Sequence, residues 1–203
     1  MATRPITLHT VPHTGTHFVT KIFTDVFGLT QKTDWNRVHA TWVAPSQLRP
    51  PELVMIQTAM EAEKLIVTAR DPYLSAIRWI GKKNQYRGGR PLNRGVDEMY
   101  NSWNHFFDVL SKKEYFIVDI GCREKDRVQH ISNLVDFLDI EVDIGLVKDF
   151  ASTWKPEYTS DSNEKQTYLN SSVLPVANKG SWDMLDDAVK WYASLDTNDY
   201  DLP

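Results

Sequence analysis

The stretch Ile6 to Gly28, ITLHTVPHTGTHFVTKIFTDVFG, constrains the fold of this chain more than any other. The apolar residues within Ile6 to Val11 suggest a buried strand. Phe18, Val19, Ile22, Phe23, Val26 and Phe27 then recur at helical spacing up to a stop at Gly28. Between them lies PHTGTH, Pro12 to His17. A loop of this kind presents backbone N–H groups at the start of a helix whose dipole favours negative charge, so a phosphate is its natural guest. It lacks the GxxxxGK[ST] spacing of the nucleoside-triphosphate loop. Taken alone it is equally readable as an ordinary strand-to-helix turn.

Strand and helix patterns continue to alternate along the chain. Asn36 to Val43, which carries His39, has the β-branched and aromatic content of a second strand. Pro50 and Pro51 mark a turn, Glu52 to Glu63 a short helix, and Leu65 to Ala69 (LIVTA) a central parallel strand with Arg70 at its end. Asp71 and Pro72 open a helix that runs to about Lys82. From Lys82 to Gly95 the chain has five basic residues, three glycines and no acid, the composition of an anion-attracting loop or simply of a solvated one. Val96 to Leu110 reads as a helix and Tyr115 to Ile120 as a buried strand. Val128, Ile131, Leu134, Val135 and Leu138 form the packing stripe of a further helix. Lys155 to Ser172 is polar, as expected of a flap. Trp182, Leu185, Val189 and Tyr192 define a last helix, before an acidic tail from Asp196 to Pro203. The pattern predicts an α/β fold: a single domain over residues 1–203, with a central parallel sheet flanked by helices and ligands at the carboxyl ends of the strands.

Charge and cysteine content narrow the function. A net charge of −4 gives no broad electrostatic footprint for nucleic acid. Cys122 is the only cysteine, so no intrachain disulfide forms, and no Cys, His or carboxylate spacing matches a metal site. No apolar run approaches the ~20 residues of a membrane span, and no export signal is legible. These features predict a cytoplasmic protein with neither membrane nor nucleic-acid partner.

Six segments, in order, resemble the sulfotransferases that use 3′-phosphoadenosine 5′-phosphosulfate (PAPS). TVPHTGTHFV resembles that family's 5′-phosphosulfate loop, PKSGTTWL, and RVHATW its KTHLP segment. KLIVTARDPYLSAI resembles the 3′-phosphate segment RxPxxxxxS, and YNSWNH the YGSWxxH helix. YFIVDIGCREKDRVQHISNLVDFLDI is similar to the YEDM strand with its following helix, and NKGSW to the RKGxxGDW loop. The resemblance implies sulfuryl transfer from PAPS, leaving PAP, to a hydroxyl or amine of a small-molecule or glycan acceptor, with no metal. It implies His39 as general base, a role suited to an imidazole that is neutral near working pH. It places the 5′-phosphate on the amides of Thr14, Gly15, Thr16 and His17, with Pro12 and His13 in the same loop and the Thr16 hydroxyl as a further donor. The resemblance likewise implies that Arg70, Ser75, Arg78, Lys179 and Gly180 form the 3′-phosphate pocket.

The sequence departs from the family pattern at several points. His13 stands where the family has the lysine that stabilises the leaving group, a role histidine fills as a cation or as an N–H donor. Arg78 stands at the expected serine, with Ser75 one helical turn earlier. Val118 and Asp119 replace a tyrosine and a glutamate, and the chain is shorter than typical members, which leaves the acceptor open. A nucleotide or small-molecule kinase and a noncatalytic nucleotide-binding module are the alternatives.

Overall fold

The computed structural model describes residues 6–70, 72, 75, 76, 79, 92–120, 122, 124–154 and 185–195. Four strands, β1 (Ile6–Thr10), β2 (Trp35–His39), β3 (Lys64–Ala69) and β4 (Tyr115–Asp119), form one sheet in the order β2-β1-β3-β4. Every pairing is parallel. The two inner strands explain this arrangement, since β1 is buried throughout and β3 nearly so; such runs need cover on both faces. One layer packs Ile6, Leu8 and Ile66 against Val19, Phe23, Ile131, Leu134 and Val147. The opposite layer packs Leu65 and Val67 against Ala59, Met99, Trp103 and Phe106.

The covering helices are α1 (Thr16–Lys21), α2 (Pro50–Met60), α3 (Leu92–Leu110), α4 (Arg127–Leu138), α5 (Ile144–Thr153) and α6 (Asp186–Ser194). Helix α1 widens into a π turn over Ile22–Val26, where the Phe27 N–H donates to the Ile22 carbonyl at 3.0 Å. It ends at Gly28, whose φ of 65° is the left-handed conformation of a helix stop. Pro72, Ser75, Ala76 and Trp79 are helical, as expected for the segment after β3.

Several boundaries differ from the sequence reading, each for a local reason. Strand β2 ends at His39 rather than Val43 because its partner ends too: Thr10 is opposite His39, and the last contact is Ala40 N–H to the Thr10 carbonyl at 2.8 Å. Helix α2 begins at Pro50, so the two prolines occupy its first turn, where no N–H is needed. Glu52 caps it by accepting from the Arg49 N–H at 3.2 Å. Helix α3 begins at Leu92 rather than Val96, so the residues from Leu92 to Gly95 are helix and not loop. Helix α5 was not anticipated. It starts on Asp143, whose carboxylate accepts from the Gly145 N–H at 2.7 Å, and buries Val147 and Ala151. The expected flap at 155–172, most of the basic loop and the acidic tail lie outside the described residues.

Candidate active site

All four strands end on the same edge of the sheet, and the residues of interest follow those ends. After β1 the chain turns through Val11–Gly15 and enters α1. Gly15, just before the helix, has φ 106° and ψ 23°, and a Cβ there would overlap the Ile120 side chain beyond β4 outright. Only glycine meets both conditions. His13 also has a positive φ, 64°, a conformation uncommon outside glycine and found at functional turns. The Thr14 hydroxyl donates to the Val11 carbonyl at 2.7 Å. Having one proton, it must accept from Thr68 on β3, and this pins the loop to the central strand.

The N–H of Thr14 makes a long, 3.4 Å bond to the Val11 carbonyl. Among the described residues no backbone acceptor meets the N–H of Gly15, Thr16 or His17, the usual condition of a helix N-terminus open to an anion. Pro12 and Thr16 are buried, and His17 is exposed.

His39 stands at the carboxyl end of β2, beside Thr10. Its Nδ1 is 2.8 Å from Thr10 Oγ1, which in turn accepts from Thr16 Oγ1 at 3.0 Å. A continuous hydrogen-bond chain therefore joins the first residue of α1 to the histidine. Burial lowers the His39 pKa below its ordinary 6.5, helped by the Arg37 cation and by His17; a hydrogen bond to the Thr10 backbone opposes them. The ring is accordingly neutral near pH 7 and has one nitrogen lone pair with which to take a proton.

Helix α3 holds the chain that leaves His39. The Asn101 amide donates to the Trp42 carbonyl at 3.4 Å. His105 Nε2 lies 3.2 Å from the Val43 carbonyl, which obliges that nitrogen to carry the proton. Ser102, in the same YNSWNH segment, turns inward to the Glu98 carbonyl at 3.0 Å and is structural. An aromatic row crosses from the loop to this exit: His13 and Trp79 ring centres are 5.8 Å apart, and Trp79 and Trp42 5.6 Å. Trp79 is fixed by its Nε1–H to Glu98 at 3.0 Å, while Trp42 remains 38% exposed.

Arg70 follows β3 and is buried, as is Ser75 on the helical segment beyond it; both make interactions within the protein. Arg78, Lys179 and Gly180 lie outside the described residues. The structure thus joins Thr16 to His39 through the Thr10 hydroxyl and sets His13 beside Trp79. Sequence reasoning missed Thr10, Thr68 and Ile120. Only the pairing register carries their signal: Thr10 opposes His39, and Ala69, one residue before Arg70, opposes Asp119, the neighbour of Ile120.

On the opposite side of β1, His9 is 2% exposed, stacks on Phe106 at 5.5 Å, and has no hydrogen-bond partner at either ring nitrogen among the described residues. Burial, with His39 and His105 nearby, pushes its pKa down to about 3. Buried His130 accepts from the Asp119 N–H at 3.2 Å, and burial takes its pKa down to about 4. No group of three or more potential metal ligands occurs among the described residues.

A parallel sheet whose first strand turns straight into a helix through a glycine loop defines a class of α/β proteins that receive ligands at the strand ends. Within that class, the chain has the fold of a solved sulfotransferase. The crystal structure of mouse sulfotransferase SULT7A1 complexed with PAP matches 94% of this chain and 88% of the other, with a TM-score of 0.58 and 12% sequence identity. Similarity at that level establishes the fold. No family model matches the sequence, and no curated protein matches it.

Proposed function

We propose that this protein transfers the sulfuryl group of PAPS to a hydroxyl or amine of an acceptor. The observation that carries the reading is the Thr16–Thr10–His39 chain, which sets an anion-receiving helix start one hydroxyl away from a neutral histidine. The fold shared with a PAP-bound sulfotransferase supports it. His39 takes the acceptor proton as the acceptor oxygen or nitrogen forms its bond to sulfur. The bond from sulfur to the 5′-phosphate oxygen breaks in line, and PAP departs. The Gly15, Thr16 and His17 amides hold the 5′-phosphate, and His13 meets the charge growing on the bridging oxygen. Arg70 and Ser75, with Arg78, Lys179 and Gly180, are assigned to the 3′-phosphate.

Calorimetry with PAP, adenosine 5′-monophosphate and ATP with magnesium tests this assignment. PAP is expected to bind at least about tenfold more tightly than the monophosphate, about 1.4 kcal/mol. Tighter binding of ATP with magnesium would replace the reading with a kinase. PAP binding with no transfer to any of a panel of phenols, amines and sugars would leave a nucleotide-binding module.

A further inference from the structure

The Thr10 hydroxyl belongs to neither the loop nor the base, yet it touches both. It is fully buried, accepts from Thr16 Oγ1 and lies 2.8 Å from His39 Nδ1. A buried hydroxyl must place its own proton. With Thr16 already donating to it, the acceptor available to Thr10 in this hydrogen-bond chain is His39 Nδ1. The ring proton then sits on Nε2, and that nitrogen cannot take a proton from an acceptor.

A phosphate on the loop changes the direction of the chain. The Thr16 hydroxyl turns to donate to a phosphate oxygen and its lone pair faces Thr10. Thr10 rotates to donate to Thr16, and its own lone pair faces His39. Nδ1 then carries the ring proton and Nε2 holds the free pair. Each hydroxyl keeps one proton throughout, and the ring gives up one proton at Nε2 and gains one at Nδ1 through water. We propose that Thr10 is a positioning residue that converts His39 from its Nε2–H to its Nδ1–H tautomer when an anion occupies the loop, so that the base is armed only with cosubstrate bound. This rests on the reading of the loop and of His39 given above. Arg37, His17 and His9 are the other titratable neighbours of the ring, and none of them is in the hydrogen-bond chain.

The test is nitrogen-15 imidazole NMR of the full chain, with the His39 signals assigned by their loss in His39→Gln. The free protein is expected to show Nε2–H and the PAP-saturated protein Nδ1–H. In Thr10→Val the change should vanish while PAP still binds, and turnover should fall roughly 10- to 100-fold, as when an outer partner of a working histidine is removed. Thr10→Ser, which keeps the hydroxyl, should restore both and shows that any loss in the valine variant is not misfolding. If PAP binds and the tautomer is the same free and bound, the inference is wrong while the sulfotransferase reading stands. If PAP fails to bind, inorganic phosphate is the probe. A tautomer change with phosphate keeps the switch and removes the PAPS assignment, and no change removes both.

Discussion

At Gly15 a backbone torsion and a packing contact make the same demand. A side chain there adopts a left-handed φ at a cost of about 1–2 kcal/mol, and its methyl group meets Ile120, an overpacking cost of about 1–3 kcal/mol. Gly15→Ala should therefore lower unfolding free energy in urea by about 2–5 kcal/mol. Made in an Ile120→Ala background, which removes the two overlapping atoms and keeps the Ile120 Cβ at an ordinary 3.8 Å, the same change should cost no more than the torsional ~1–2 kcal/mol. Equal costs in both backgrounds would mean that Ile120 is not what excludes the methyl. His39 makes a kinetic prediction. His39→Gln should lose about 10²–10⁴ in kcat with PAP affinity retained. Because burial holds the His39 pKa below 6.5, the acid limb of the wild-type rate should lie below that pH; a limb centred above pH 7 would assign the base elsewhere. His39 was legible as a residue in the sequence. Its hydrogen-bond partner was not, because Thr10 and His39 are 29 positions apart and only the β1–β2 register brings them together.

Among the elements, α5 gives the cleanest stability test. Its start depends on one carboxylate, Asp143, accepting from the Gly145 N–H. Asp143→Ala should cost about 1 kcal/mol, measured as a lower melting temperature, while Asp143→Asn, which also accepts, should lose only a fraction of that. An equal loss in both would point to the charge rather than the cap. This helix escaped the sequence reading although Val147, Ala151 and Trp154 follow at helical spacing. Exposed Ile144 and Leu146 blur the polar face that would have marked it as amphipathic. The central strands were legible for the converse reason. LIVTA is apolar on both faces because both faces are covered, and composition alone records that. The end of β2 was illegible because pairing sets it: Ala40 to Val43 have strand-forming composition, but β1 offers no partner past Thr10.

For the molecule as a whole, His9 and His130 set the response to acid. Both have folded pKa values, about 3 and about 4, below the 6.5 of an ordinary ring. Between those values and 6.5 the unfolded chain binds more protons than the folded one, so stability is full above pH 6.5 and declines as pH falls. The slope is about 1.4 kcal/mol per pH unit for each histidine. Urea midpoints at pH 7 and pH 5 should differ accordingly, with His39, whose pKa burial also lowers, adding to the difference, and His9→Leu should remove about a third to a half of it. An unchanged slope would remove His9 as a source. The order β2-β1-β3-β4 has a further effect, on synthesis. Strand β1 has neighbours on both edges, and the more distant one, β3, ends at Ala69. A ribosome adding about 5–20 residues per second needs roughly 3–12 s to travel from Thr10 to Ala69. During that interval a strand that is buried on both faces in the finished fold has at least one edge unmatched, and its exposed backbone is open to pairing with other chains.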